Sequence, residues 1–187
     1  MNNETTTQIN EIKKQFRFYM NGVTAASMRD KGANYKVNWG ISLIDLKQIA
    51  KQYAQDKNLS LQLWNENARE CKILSTMLMP QKTLTLQEAK AMIETLSTQE
   101  LAEISAAQLF CKESFADELA LFCIENNNVF ANICGYSIIT RLFMNEQKLN
   151  DEQTQRFLHQ ANKHLKTGSI ILQQVIHRCL IRMEIEV

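Results

Sequence analysis

A chain of 187 residues, 45% of them apolar, has room for one compact domain or a short solenoid of five or six helix pairs at roughly 30–45 residues per repeat. That composition excludes a largely disordered chain, and no apolar run reaches the roughly 20 residues that cross a bilayer. The net charge of +1 excludes a global pull toward nucleic acid and leaves the question to local patches.

The charge is uneven along the chain. Residues 1–60 carry nine Lys/Arg against five Asp/Glu, residues 61–128 five against ten, and residues 129–187 seven against five. A basic groove would have to be assembled from the two ends around an acidic middle. The start, Met1 to Thr7, is polar and lacks a basic or apolar leader, so a cytoplasmic protein with no membrane partner is expected. With one proline and five glycines, nothing reads as a strand with turn chemistry, and the expectation is an all-α chain.

Ile9, Ile12, Phe16, Tyr19 and Met20 follow 3–4 spacing and predict a first helix over 5–20, with Lys13, Lys14 and Arg17 outside. Ala25 to Arg29 reads as a second, short helix. The loop from Gly32 to Gly40 holds Tyr35, Val37 and Trp39, too apolar for a solvated linker, and is expected to pack beneath the first helices. Ser42 with Asp45 three residues on marks an N-cap, opening a helix to about Gln55 that Asn58 breaks. Ser60 caps a short turn through Trp64. Asn67 caps a helix from Ala68 to Met79, which Pro80 ends by its missing N–H.

Beyond Pro80 the same 3.6 period returns. Helices are predicted from Thr85 to about Leu96, over 98–111, over 115–125 behind Ser114, and from Val129 to Met144. Asp151 to Leu165 follows, closed by Gly168 as a left-handed C′ residue. Ser169 to about Glu184 is the last. Helices of 10–17 residues joined by short connections predict a superhelix of antiparallel pairs, read as a single domain over 1–187.

Cys71, Cys111, Cys123, Cys134 and Cys179 are widely spaced, form no Cys-x-x-Cys pair and sit among apolar neighbours, which predicts buried free thiols. His159 and His164 lie on different helix faces and His177 is distant, so no metal site and no cofactor are expected. Trp39 and Trp64 sit beside apolar residues and read as core, with base stacking the sharper alternative. No phosphate-cradling glycine loop, nucleophile elbow or His-Glu-x-x-His is present.

Three segments carry a family resemblance. Trp39-Gly40-Ile41-Ser42 through Leu46-Lys47-Gln48-Ile49-Ala50 is similar to "G-I-x-x-P-x-L-R-x-I-A". Leu63-Trp64 followed by Ala68-Arg69-Glu70 is similar to "L-W-x-x-x-x-R-E". Asn128 through Gly135-Tyr136-Ser137-Ile138-Ile139 is similar to "x-W-x-R-R-A-G-x-x-x-L". Together they resemble the AlkD-like DNA alkylation repair proteins, from about Phe16 to Arg182. The resemblance implies an α-α superhelix of HEAT-like helix pairs whose hollow side binds double-stranded DNA. It also implies cleavage of the N-glycosidic bond of alkylated purines, which needs a carboxylate beside the developing positive sugar.

The positions that would do this chemistry have mostly changed. The family's Trp-x-x-x-Asp pair falls at Gln99 and Glu103, so the carboxylate survives one methylene longer and the aromatic face is lost. The family's arginine falls at Ile133 or Asn132, and its late tryptophan near Arg178. The expectation is a DNA-binding protein with weak or absent N-glycosylase activity, Glu103 being the remaining catalytic candidate. The alternative is a non-catalytic scaffold that binds a protein partner. Arg69 and Lys72 on one helix, and His177, Arg178 and Arg182 on another, are the DNA-binding candidates, since i, i+3 and i, i+4 pairs share a face. A solvated or ion-paired face is the bland reading of each.

Overall fold

The computed structural model describes residues 3–184 and divides into two compact units, Met1–Leu84 and Thr85–Val187. Met1 and Asn2, part of the polar start at Met1 to Thr7, lie outside the described residues. Among the described residues the structure is helical throughout, with one isolated β-bridge between Val37 and Ala68. No helix among them is long and apolar enough to cross a membrane.

The first unit holds α1 (Asn3–Tyr19), α2 (Gly22–Asp30), α3 (Leu43–Ala50), α4 (Lys57–Trp64) and α5 (Arg69–Leu78). Ile9, Ile12 and Phe16 turn one stripe of α1 into the core, where α1 meets α3 and α4. Asn21, Ser42 and Asp56 cap α2, α3 and α4 by accepting the N–H of Thr24, Asp45 and Leu59. The short link 65–68 brings α5 back antiparallel along α4, burying Leu63 and Trp64 against Cys71, Ile73 and Leu74. The loop before α3 is pinned rather than solvated. Val37 N–H donates to Asn67 O (3.3 Å), and Arg69 N–H donates to Val37 O (2.9 Å).

The second unit holds α6 (Leu86–Glu94), α7 (Gln99–Gln108), a 3-10 turn at Phe110–Lys112, α8 (Ala116–Ile124), α9 (Val129–Met144), α10 (Asp151–Thr167) and α11 (Ile170–Arg182). Its axis is α9, which packs on α7, α8 and α11. A helix in contact on three sides must be apolar nearly all round, and α9 buries nine residues from Ala131 to Leu142. Gly135 permits the tightest of these contacts. A Cβ there would stand 2.7 Å from Ala120 O and from Cys123 Cβ. Capping boxes open α6 (Thr85 with Glu88) and α10 (Asn150 with Gln153).

Several sequence-based boundaries move. The α3 helix stops at Ala50, short of Gln55, and Asn58 and Ser60 lie inside α4, because Asp56 provides the cap. Asn67 does not cap α5; Ala68 holds that position and the carbonyl of Val37 takes the Arg69 N–H. The segment 98–111 splits into α7 and the 3-10 turn, and α8 begins without a side-chain cap from Ser114. Gly168 ends α10 with φ −78°, so it is not the left-handed residue expected. Its glycine serves space instead, since a Cβ would meet His164 O at 2.5 Å.

Candidate nucleic-acid interface

The motif segments of the first unit hold each other. Gly40 adopts φ +70°, and a Cβ there would fall 2.1 Å from Asn21 O. This brings the loop against the α1–α2 corner, where Asn21 N–H donates to Trp39 O at 2.8 Å. From the other side Glu70, fully buried, accepts the N–H groups of Trp39 (3.2 Å) and Ile41 (3.3 Å). Arg69 closes the arrangement, donating to Ile41 O (2.9 Å) and to Glu70 Oε1 (3.0 Å). Arg69 is 3% exposed, so a phosphate would reach it only by displacing its buried partner.

Lys72, half-buried, is also engaged. Its ammonium donates to Trp64 O at 2.6 Å and lies 5.1 Å from the Trp64 ring centre. Burial holds its pKa below the usual lysine range. Trp64 is core, while Trp39 is half-exposed with its ring 6.3 Å from that of Phe16.

In the second unit the structure joins two residues 75 positions apart. Glu103 on α7 accepts at Oε1 from Arg178 Nη2 on α11 (3.3 Å) and from Gln99 Nε2 one turn earlier on α7 (3.1 Å). The pair sits in a cleft of about 150 Å³ completed by Ser137, Thr140 and Arg141 of α9 and Val175 of α11. Two guanidinium groups against one carboxylate leave the cleft a net positive charge, with two hydroxyls beside it. Among the described residues no aromatic ring lines it. Arg141 escaped the sequence reading, although Ser137, Thr140 and Arg141 stand at i, i+3 and i+4 on one helical face.

The remaining candidates are dispersed. His177 and Arg182 are exposed on α11 but do not line this cleft. Arg182 borders a wider depression of about 520 Å³ with Phe143, Lys148 and Thr154. Asn132 and Ile133, the two registers for the family's arginine, are both buried. The Asn132 amide donates to the carbonyls of Cys123 (3.0 Å), Ile124 (3.3 Å) and Asn126 (2.8 Å), closing the C-terminal end of α8. All five cysteines are buried free thiols. Among the described residues no group of three His, Cys, Asp or Glu side chains could hold a metal ion.

A sequence model of the DNA alkylation repair enzyme family matches residues 12–120, more than half of the chain. The chain belongs to that family. A search of curated proteins finds no match. Among solved structures, the chain is similar to one from a new family of proteins related to the HEAT-like repeat DNA glycosylases with affinity for branched DNA structures. The TM-score is 0.80 at 13% identity, over 93% of this chain and 74% of the other. At that identity the likeness is one of fold: the alkylation repair family member described here has the HEAT-like repeat fold. The matched stretch takes in the Glu70-pinned loop and Glu103, and ends before α9 and α11, which supply the rest of the cleft.

Proposed function

We propose that this chain binds DNA through the cleft between α7, α9 and α11, with weak or absent excision of alkylated purines. The observation that carries this reading is the Glu103–Arg178 pair. A carboxylate that stabilises a cationic sugar must meet it unneutralised and positioned. Here a guanidinium and an amide both engage Glu103, and no ring in the cleft offers a surface to a lesion. Arg141 and Arg178 with two neighbouring hydroxyls suit a phosphate backbone instead. The fold's likeness to a protein with affinity for branched DNA supports branched as well as continuous duplexes as ligands.

Two assays on the purified protein test the reading. Methylated DNA is expected to release no alkylated base above background, and a Glu103-dependent release would overturn the proposal. Duplex binding is expected to weaken steeply with salt. Arg178→Glu should lower affinity on the order of tenfold, whereas Glu103→Gln, which frees Arg178, should raise it. If Glu103→Gln instead abolishes release without changing affinity, Glu103 is catalytic. Should no duplex bind at low salt, the protein-scaffold alternative takes its place.

A further inference from the structure

The corner where α1 turns into α2 exposes an unusual run of large apolar side chains. Phe18 is 85% and Val23 83% exposed, with Met20 and Tyr19 also outward. Scattered exposed apolar residues need no explanation, but four within six positions form a patch. Lys14, Arg17 and Phe18 stand at i, i+3 and i+4, so two cations share the helical face of the exposed ring. Neither Lys14 nor Arg17 has an ion-pair partner among the described residues, whereas Lys13, turned the other way, is paired with Glu66. The patch is also held still. The Asn21 cap fixes the start of α2, and the Trp39-Gly40 backbone, pinned by Glu70, braces the turn from behind.

We propose that this corner is a stacking platform for unpaired bases of a nucleic acid: Phe18, flanked by Tyr19, takes a base face, and Lys14 and Arg17 take the adjoining phosphates. An exposed aromatic beside cations without ion-pair partners is the chemistry that single-stranded segments require, since every base offers a π-face and every linkage a charge. The inference rests on the DNA-binding reading and adds a second site, in the first unit, selective for unpaired over paired strands.

The test compares the full chain on a continuous duplex and on a forked duplex of equal length with single-stranded arms, by fluorescence anisotropy. The wild type is expected to prefer the fork. Phe18→Ala should lower fork affinity about tenfold and leave duplex affinity unchanged, and Phe18→Trp should restore the preference. An unchanged fork preference in Phe18→Ala overturns the platform while Arg178-dependent duplex binding keeps the main reading intact. No binding to either substrate overturns both. A Phe18-dependent attachment to phosphatidylserine vesicles without any fork preference would make the corner a membrane contact and likewise overturn the proposal.

Discussion

Glu70 shows what a single buried charge does in this protein. Its carboxylate accepts two backbone N–H groups and one guanidinium, and holds from within a loop that the Asn38 side chain and the backbones of Asn21, Asn67 and Arg69 fix at other points. Glu70→Ala should leave Arg69 buried without its counter-ion and cost about 3–5 kcal/mol, read as a lowered urea midpoint. His164 gives the second prediction at this scale. Its Nδ1 lies 2.9 Å from the Tyr136 hydroxyl, and burial, aided by Lys163, lowers its pKa from the usual value. The folded state therefore favours the neutral ring, while the unfolded state takes up a proton as pH falls below about 6.5. This contribution to stability is present above that pH and is lost as pH falls through the folded value. The urea midpoint should drop between pH 7.5 and pH 5.5, and His164→Asn should flatten the difference. The sequence showed Arg69 and Glu70 as adjacent charges on one helix, but not that both point inward. Their partners, Trp39 and Ile41, lie about thirty residues earlier, and no local period encodes that meeting.

Among the elements, α9 is the most constrained. Its glycine is set by α8, which passes so close that an added methyl meets the Ala120 oxygen as well as Cys123 Cβ and Ile124 Cγ2, each at 2.7 Å. Gly135→Ala gains up to about 1 kcal/mol of helix propensity but should lose more to overpacking, for a net destabilisation of about 1–2 kcal/mol in chemical denaturation. Helix positions were legible at most side-chain caps: Ser42, Thr85, Thr98, Asn128 and Ser169 each accept an N–H of the helix they open, but Asp56, the cap of α4, was passed over for Ser60. Where a distant backbone does it, as Val37 does for α5, the start was misplaced by the nearest polar residue. The cleft followed the same rule. Glu103 and Arg178 were each singled out, but their pairing across three helices follows from packing, not spacing.

For the whole molecule, charge and motif tell different stories. The first unit carries twelve Lys/Arg against seven Asp/Glu, a net +5, and the second nine against thirteen, a net −4. The cleft thus places its two arginines in the more acidic unit, where they must act locally within about a Debye length. Several of the segments that carry the family resemblance also hold the fold: the Gly40 loop, the Arg69–Glu70 staple and the Gly135 crossing.

The Asn132 amide has a consequence for what this position can hold. An arginine introduced there would strip three carbonyls of their donor and bury an unpaired cation, and at Ile133 it would enter the core. Either change would injure folding, so a cation at these two positions and the closed C-terminal end of α8 exclude one another.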